Sequence, residues 1–206
     1  MTDFKARTIA LVGLGLISGS LARALQASPW EGRLIAWGPR EPSLKRGLEL
    51  GVIDDYSLDL PNIVEQADII VIGAPPIATA DMISQLTSLL SSAGKQTIIT
   101  DLASIKGYVV DAASADYPFF VPGHPIAGSE HSGVQHSDAT LFAGREIILT
   151  PSENTDTAAV DTVTAMWALT GAYIRQMSVK AHDAMLAASS HMPHIVSYAL
   201  TGALER

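Results

Sequence analysis

The chain has 206 residues and no cysteine. Disulfides, thiolate metal sites and cysteine nucleophiles are therefore outside its chemistry. The absence fits a reducing compartment, so a cytoplasmic location is expected. Cations are scarce: 13 Lys and Arg stand against 21 Asp and Glu, for a net charge of -8. That balance leaves no global basic footprint for nucleic acid. It is also an ordinary solubility device, and a local basic pocket for an anionic ligand stays open. Long apolar runs are missing too. No stretch reaches the ~18 residues that suggest a membrane span, and residues 1–8 lack the apolar run of a signal peptide. Histidine is absent from the first half, since all six histidines lie between His124 and His194. The first half can then supply a fold and a cofactor site, but no imidazole.

What is present is 48% hydrophobic and 17% charged, enough for a substantial core. Short apolar runs alternate with amphipathic stretches. Strands are expected at 8–12, 33–37, 68–73, 97–100, 119–121, 145–150 and 172–176. Helices are expected at 16–27, 43–50, 77–90, 104–115 and 152–169. This alternation argues an α/β fold with a doubly wound, mostly parallel sheet covered on both faces. After Gln176 the pattern changes to a helical stretch rich in Ala, Leu, His and Met, with Pro193 inside it. Residues 1–177 are read as one domain and 178–206 as the first helix of a helical region, which needs a partner surface. A homodimer is expected on that ground.

Gly13-Leu14-Gly15-Leu16-Ile17-Ser18 follows the first strand and opens the first helix. In that context the glycines read as a Rossmann-type dinucleotide turn. Gly13 permits the turn, Gly15 lets backbone approach a pyrophosphate, and the helix N-terminus favours phosphate. Ser18 stands where a third glycine is usual. A ribose-binding acid is expected about 20 residues beyond the glycines. Gly38 occupies that place, with Arg40 close behind. Arg40 suits a 2′-phosphate, which tilts the cofactor expectation from NAD toward NADP. It is also a plausible solvated loop charge.

Pro122 to Glu130 reads Pro-Gly-His-Pro-Ile-Ala-Gly-Ser-Glu. Its glycines and prolines argue a rigid polar loop, neither helix nor central strand. An imidazole held there, His124, is suited to proton transfer at neutral pH. Asp101 to Lys106 follows another strand, at the sheet edge where α/β folds bind ligands. Two readings stand for Ser104: a helix N-cap, or a hydroxyl directed at His124 or substrate. Lys106 can hold the loop or an acidic ligand. His191 and His194 are three apart, but Pro193 between them and the lack of a His-Glu-x-x-His pattern argue against a metal site.

These four blocks, 13–20, 101–106, 124–130 and 190–194, occur in the order seen in prephenate and arogenate dehydrogenases, and the chain resembles that family along nearly its whole length. The resemblance implies oxidative decarboxylation of a cyclohexadienol, with hydride passing to NAD or NADP. It implies that His124 accepts the hydroxyl proton and that Ser104 orients it. The implied cofactor set is Gly13, Gly15, Leu16, Ile17, Arg40, Ala74, Pro75 and Asp101. The implied substrate set is Ser104, His124, Ser129, Glu130, His191 and His194. Family members continue for several more helices, with a substrate-binding arginine beyond Arg206. A dinucleotide-binding fragment without catalysis is therefore the alternative. A different two-domain hydroxyacid or imine dehydrogenase is disfavoured by the 124–130 block.

Overall fold

The computed structural model describes residues 4–113, 117–188, 192, 196–198, 200 and 201. In chain order the elements are β1 (Thr8–Val12), α1 (Leu16–Gln26), β2 (Arg33–Trp37), α2 (Glu41–Glu49), β3 (Asp55–Ser57), α3 (Leu60–Gln66), β4 (Ile69–Ile72) and α4 (Pro76–Ala93). They continue with β5 (Ile98–Asp101), α5 (Lys106–Asp111), β6 (Phe120–Val121), β7 (Gly123–Pro125), β8 (Glu146–Leu149), α6 (Thr157–Ala168), β9 (Tyr173–Gln176) and α7 (Val179–Leu186). A six-stranded sheet runs β3-β2-β1-β4-β5-β6, and every pairing in it is parallel. This is the Rossmann-type order.

Side-chain alternation explains why these strands read as unbroken apolar runs. Ile9 and Leu11 of β1, with Ile69 and Val71 of β4, enter the core on one face, under α1 and α6. Ala10 and Val12, with Ile70 and Ile72, enter the core on the other face, against α3, α4 and α5. Successive residues point to opposite faces, so a strand covered on both sides has no polar position. Each fully buried Leu or Ile contributes roughly 1.5–3 kcal/mol.

The expected single sheet is corrected in its last part. β7, β8 and β9 form a separate three-stranded sheet. In it β7 is antiparallel to β8, and β8 is parallel to β9. The chain leaves the first sheet at the end of β6 and, after the single residue Pro122, joins the second at Gly123. The 122–130 segment is thus partly an edge strand, with His124 opposite Ile148. Pro125 is tolerated because an edge strand has one side without ladder bonds. Besides β7, two elements are not expected from the sequence, β3 and α3, because each is short and only partly apolar. α6 begins at Thr157 rather than at residue 152, where Asp156 caps it by accepting from the Ala159 N–H at 2.8 Å. α5 begins at Lys106 with Ile105 at its N-cap, so Ser104 is not the cap. Among the described residues, no helix is long and apolar enough to cross a membrane.

Candidate active site

The turn between β1 and α1 is tied by its own serine. Ser18 Oγ donates to the Gly13 carbonyl at 2.7 Å and accepts from the Gly15 N–H at 3.1 Å. Its side chain is buried, so serine at this position stabilises the turn rather than weakening it. Gly13 has φ +92°, and a Cβ there would meet the Gly73 carbonyl oxygen at 2.5 Å. The turn after β1 and the turn after β4 are in this way pressed backbone to backbone. Over Gly15, by contrast, a Cβ would meet nothing within 4 Å. A groove of about 420 Å³ opens here, lined among others by Gly15, Leu16, Ile17, Ala74, Pro75 and Leu102. Bare backbone at a helix N-terminus beside an open groove fits a pyrophosphate.

His124 lies 9% exposed on β7, and the strand is gripped from below. Asp101 and Lys106 form an ion pair with both side chains fully buried. Asp101 Oδ1 accepts from the Gly123 N–H at 3.1 Å, and Lys106 Nζ donates to the Gly123 carbonyl at 2.6 Å. Both backbone groups of the residue before His124 are therefore satisfied by one buried pair. Burial pushes the Lys106 ammonium below its usual range, against the opposing pull of Asp101.

α7 packs back against α5 and brings a second imidazole to the first. His182, fully buried, places Nε2 2.9 Å from His124 Nδ1. His182 Nδ1 lies 2.7 Å from Asp183 Oδ1. Asp183 also accepts from the Lys106 N–H at 3.0 Å and the Gly107 N–H at 2.8 Å. Gly107 leaves room for this approach, since a Cβ there would meet Asp183 Oδ2 at 2.9 Å and push the carboxylate aside. Burial by itself would raise the Asp183 carboxyl. The Lys106 N–H, the His182 ring and the Gly107 N–H outweigh it and hold the group below the usual aspartate range.

His124 also lines a cavity of about 700 Å³ with Ile126, Gly128, Arg145, Glu146 and Met185 among its walls. Gly128 belongs to this cavity and to the groove over Gly15, so the two spaces meet there. Comparison with known proteins decides the family. Residues 21–176 match the family model described as prephenate dehydrogenase, nucleotide-binding domain. The chain belongs to the prephenate dehydrogenase family. It is 37% identical to a prephenate dehydrogenase of Bacillus subtilis over 94% of this chain, but spans only 52% of that relative. It is 33% identical to a cyclohexadienyl dehydrogenase of Zymomonas mobilis, over 98% of this chain and 68% of the relative. A crystal structure of prephenate dehydrogenase from A. aeolicus, in complex with hydroxyphenyl propionate and NAD+, superimposes with a TM-score of 0.89 at 30% identity. That match covers 96% of this chain and 69% of that one.

The residues expected from the prephenate dehydrogenase resemblance take up different places. Gly15, Leu16, Ile17, Ala74 and Pro75 line the groove, and Gly13 builds the turn beneath it. Arg40 is exposed, at the N-cap of α2 just beyond β2. Asp101 is corrected: its carboxylate is fully buried and turned toward Lys106, Gly123 and Ala103, so it supports the His124 strand and has no surface to offer a cofactor. Ser104 is half-buried, and among the described residues no hydrogen bond joins it to His124. Ser129 lines the groove over Gly15 rather than the His124 cavity. Glu130 lines neither of these two spaces. It is 84% exposed, with Oε1 3.5 Å from His131 Nε2. His191 and His194 lie outside the described residues. Sequence reasoning gave no role to His182, Asp183 or Arg145. The adjacent His182-Asp183 pair was a visible signal, but only the return of α7 onto α5 gives it meaning.

Proposed function

We propose that the protein is an NAD(P)-dependent dehydrogenase acting on prephenate, arogenate or both, with His124 as the proton acceptor. The observation that carries this reading is the meeting, at Gly128, of the His124 cavity with a groove suited to a dinucleotide. NAD(P) held in that groove supplies the hydride acceptor. The substrate hydroxyl gives its proton to His124, the carbinol carbon loses hydride, and the ring carboxylate leaves as carbon dioxide to make the ring aromatic. Neutral imidazole suits this role because its unperturbed pKa is about 6.5. Ser104, at the same sheet edge, offers a hydroxyl to the substrate. Arg145 offers a guanidinium to one of its carboxylates.

NADP is the favoured cofactor. Arg40 has no acidic partner among the described residues, and the nearby Glu41 is engaged as acceptor of the Tyr56 hydroxyl at 3.0 Å. A homodimer is supported by the exposed apolar Met192, Val196 and Leu200. The test is a four-way rate comparison on the purified protein, prephenate and arogenate each with NAD and NADP. Turnover of either substrate, faster with NADP, is expected. No turnover with any pair, despite dinucleotide binding, would favour a binding module instead.

A further inference from the structure

His124, His182 and Asp183 form a continuous hydrogen-bonded line, and only one proton arrangement satisfies it when both rings are neutral. A carboxylate accepts and cannot donate. Asp183 already takes two backbone N–H groups, so the ring nitrogen facing it, His182 Nδ1, carries a proton. Neutral His182 then presents Nε2 as a lone pair. The nitrogen facing that lone pair, His124 Nδ1, carries a proton in turn. The lone pair of His124 is left on Nε2. The tautomer of one histidine is thus set by a carboxylate two bonds down the line.

We propose that His182 and Asp183 are positioning residues that hold His124 in the Nδ1–H form, with Nε2 as the accepting atom. The consequence for turnover rests on the function proposed above, while the tautomer does not. In the proton step the substrate O–H bond breaks and a bond from His124 Nε2 to hydrogen forms. The resulting imidazolium donates from Nδ1 to His182, and its positive charge is stabilised through that ring by the Asp183 carboxylate. No other group need gain or lose a proton. The burial of His182 and the fixed carboxylate leave little freedom for ring rotation. Among the described residues, the other charged groups around His124 are the Asp101–Lys106 pair beneath β7, and Arg145 and Glu146 across the cavity.

The direct test is nitrogen NMR of the purified protein with ring-labelled histidine, without substrate. The expected spectrum shows His124 protonated at Nδ1, and His182→Leu shifts it toward the Nε2–H form. His182→Gln, whose amide oxygen can still accept, restores the Nδ1–H form. His124 protonated at Nε2 in the unmodified protein would overturn the proposal. In turnover, His182→Leu is expected to lower kcat by about 10-fold or more, by analogy with the loss of a partner that orients a metal-bound histidine, with dinucleotide affinity unchanged. His182→Gln recovers part of that loss. Asp183→Asn moves the acidic limb of kcat/KM to lower pH, because a negative charge no longer stabilises the imidazolium. Equal kcat in Leu and Gln variants with an unmoved limb would also count against the proposal. Absence of turnover in the unmodified protein would sink the proposed function, and the NMR result would still decide the tautomer.

Discussion

Lys106→Met isolates what the buried ion pair under β7 contributes. The substitution keeps an unbranched apolar stem but leaves the Asp101 carboxylate, fully buried, without its cation. It also removes the donor to the Gly123 carbonyl. Stripping one partner from a buried pair costs about 3–5 kcal/mol. Asp101 keeps two backbone donors, Ala103 N–H at 3.0 Å and Gly123 N–H at 3.1 Å. That places the expected loss near the lower end, about 3 kcal/mol. Urea unfolding of the variant beside the unmodified protein measures it. Adding Asp101→Asn to Lys106→Met should recover more than half of the loss, because the stranded charge is gone while an acceptor for Gly123 remains. The exposed pair Arg33–Asp55, at 2.6 Å with both side chains about half exposed, is the internal control. Arg33→Ala is expected to cost under about 1 kcal/mol. A loss for Lys106→Met as small as that of Arg33→Ala would refute the reasoning.

Three further outcomes follow from the same geometry. Gly13→Ala forces a Cβ to 2.5 Å from the Gly73 carbonyl oxygen at φ +92°. It should cost about 1–3 kcal/mol of stability and weaken dinucleotide binding, read by fluorescence titration; unchanged binding would count against the groove. Asp183 is lowered in the folded state, so its stabilising contribution is fully present above the ordinary aspartate pKa of about 3.9 and is lost as pH falls below that through the depressed value. The stability gap between the unmodified protein and Asp183→Asn should therefore narrow below about pH 4 in unfolding curves; a gap that widens there would contradict the assignment. Arg145→Ala should raise KM for prephenate by roughly 10-fold or more while leaving dinucleotide affinity alone, as expected for a lost charged contact; an unchanged KM removes Arg145 from the substrate wall.

Much of the first half was legible because local pattern and global fold agree there. Gly13, Gly15 and the apolar runs of β1, β2 and β4 each carry their meaning within a few residues. Ser18 looked like a departure from the glycine pattern and turned out to lace the turn, a role that needs only its own backbone neighbours. β3 and α3 escaped because three and seven residues of mixed polarity give little periodicity. The second half depends on distant returns of the chain. Gly123 to Pro125 reads as a loop from composition, and becomes a strand because β8 pairs with it from more than 20 residues away. His182 is one imidazole among six until α7 docks on α5. Asp101 looks like a cofactor ligand at a strand end, but the buried Lys106 five residues on claims it instead.

The most direct measurement is steady-state turnover of His124→Asn with prephenate and NADP, alongside dinucleotide affinity by titration. His124 as the proton acceptor predicts unchanged dinucleotide affinity and turnover lowered by about 10²–10⁴-fold. Turnover equal to that of the unmodified protein would contradict it.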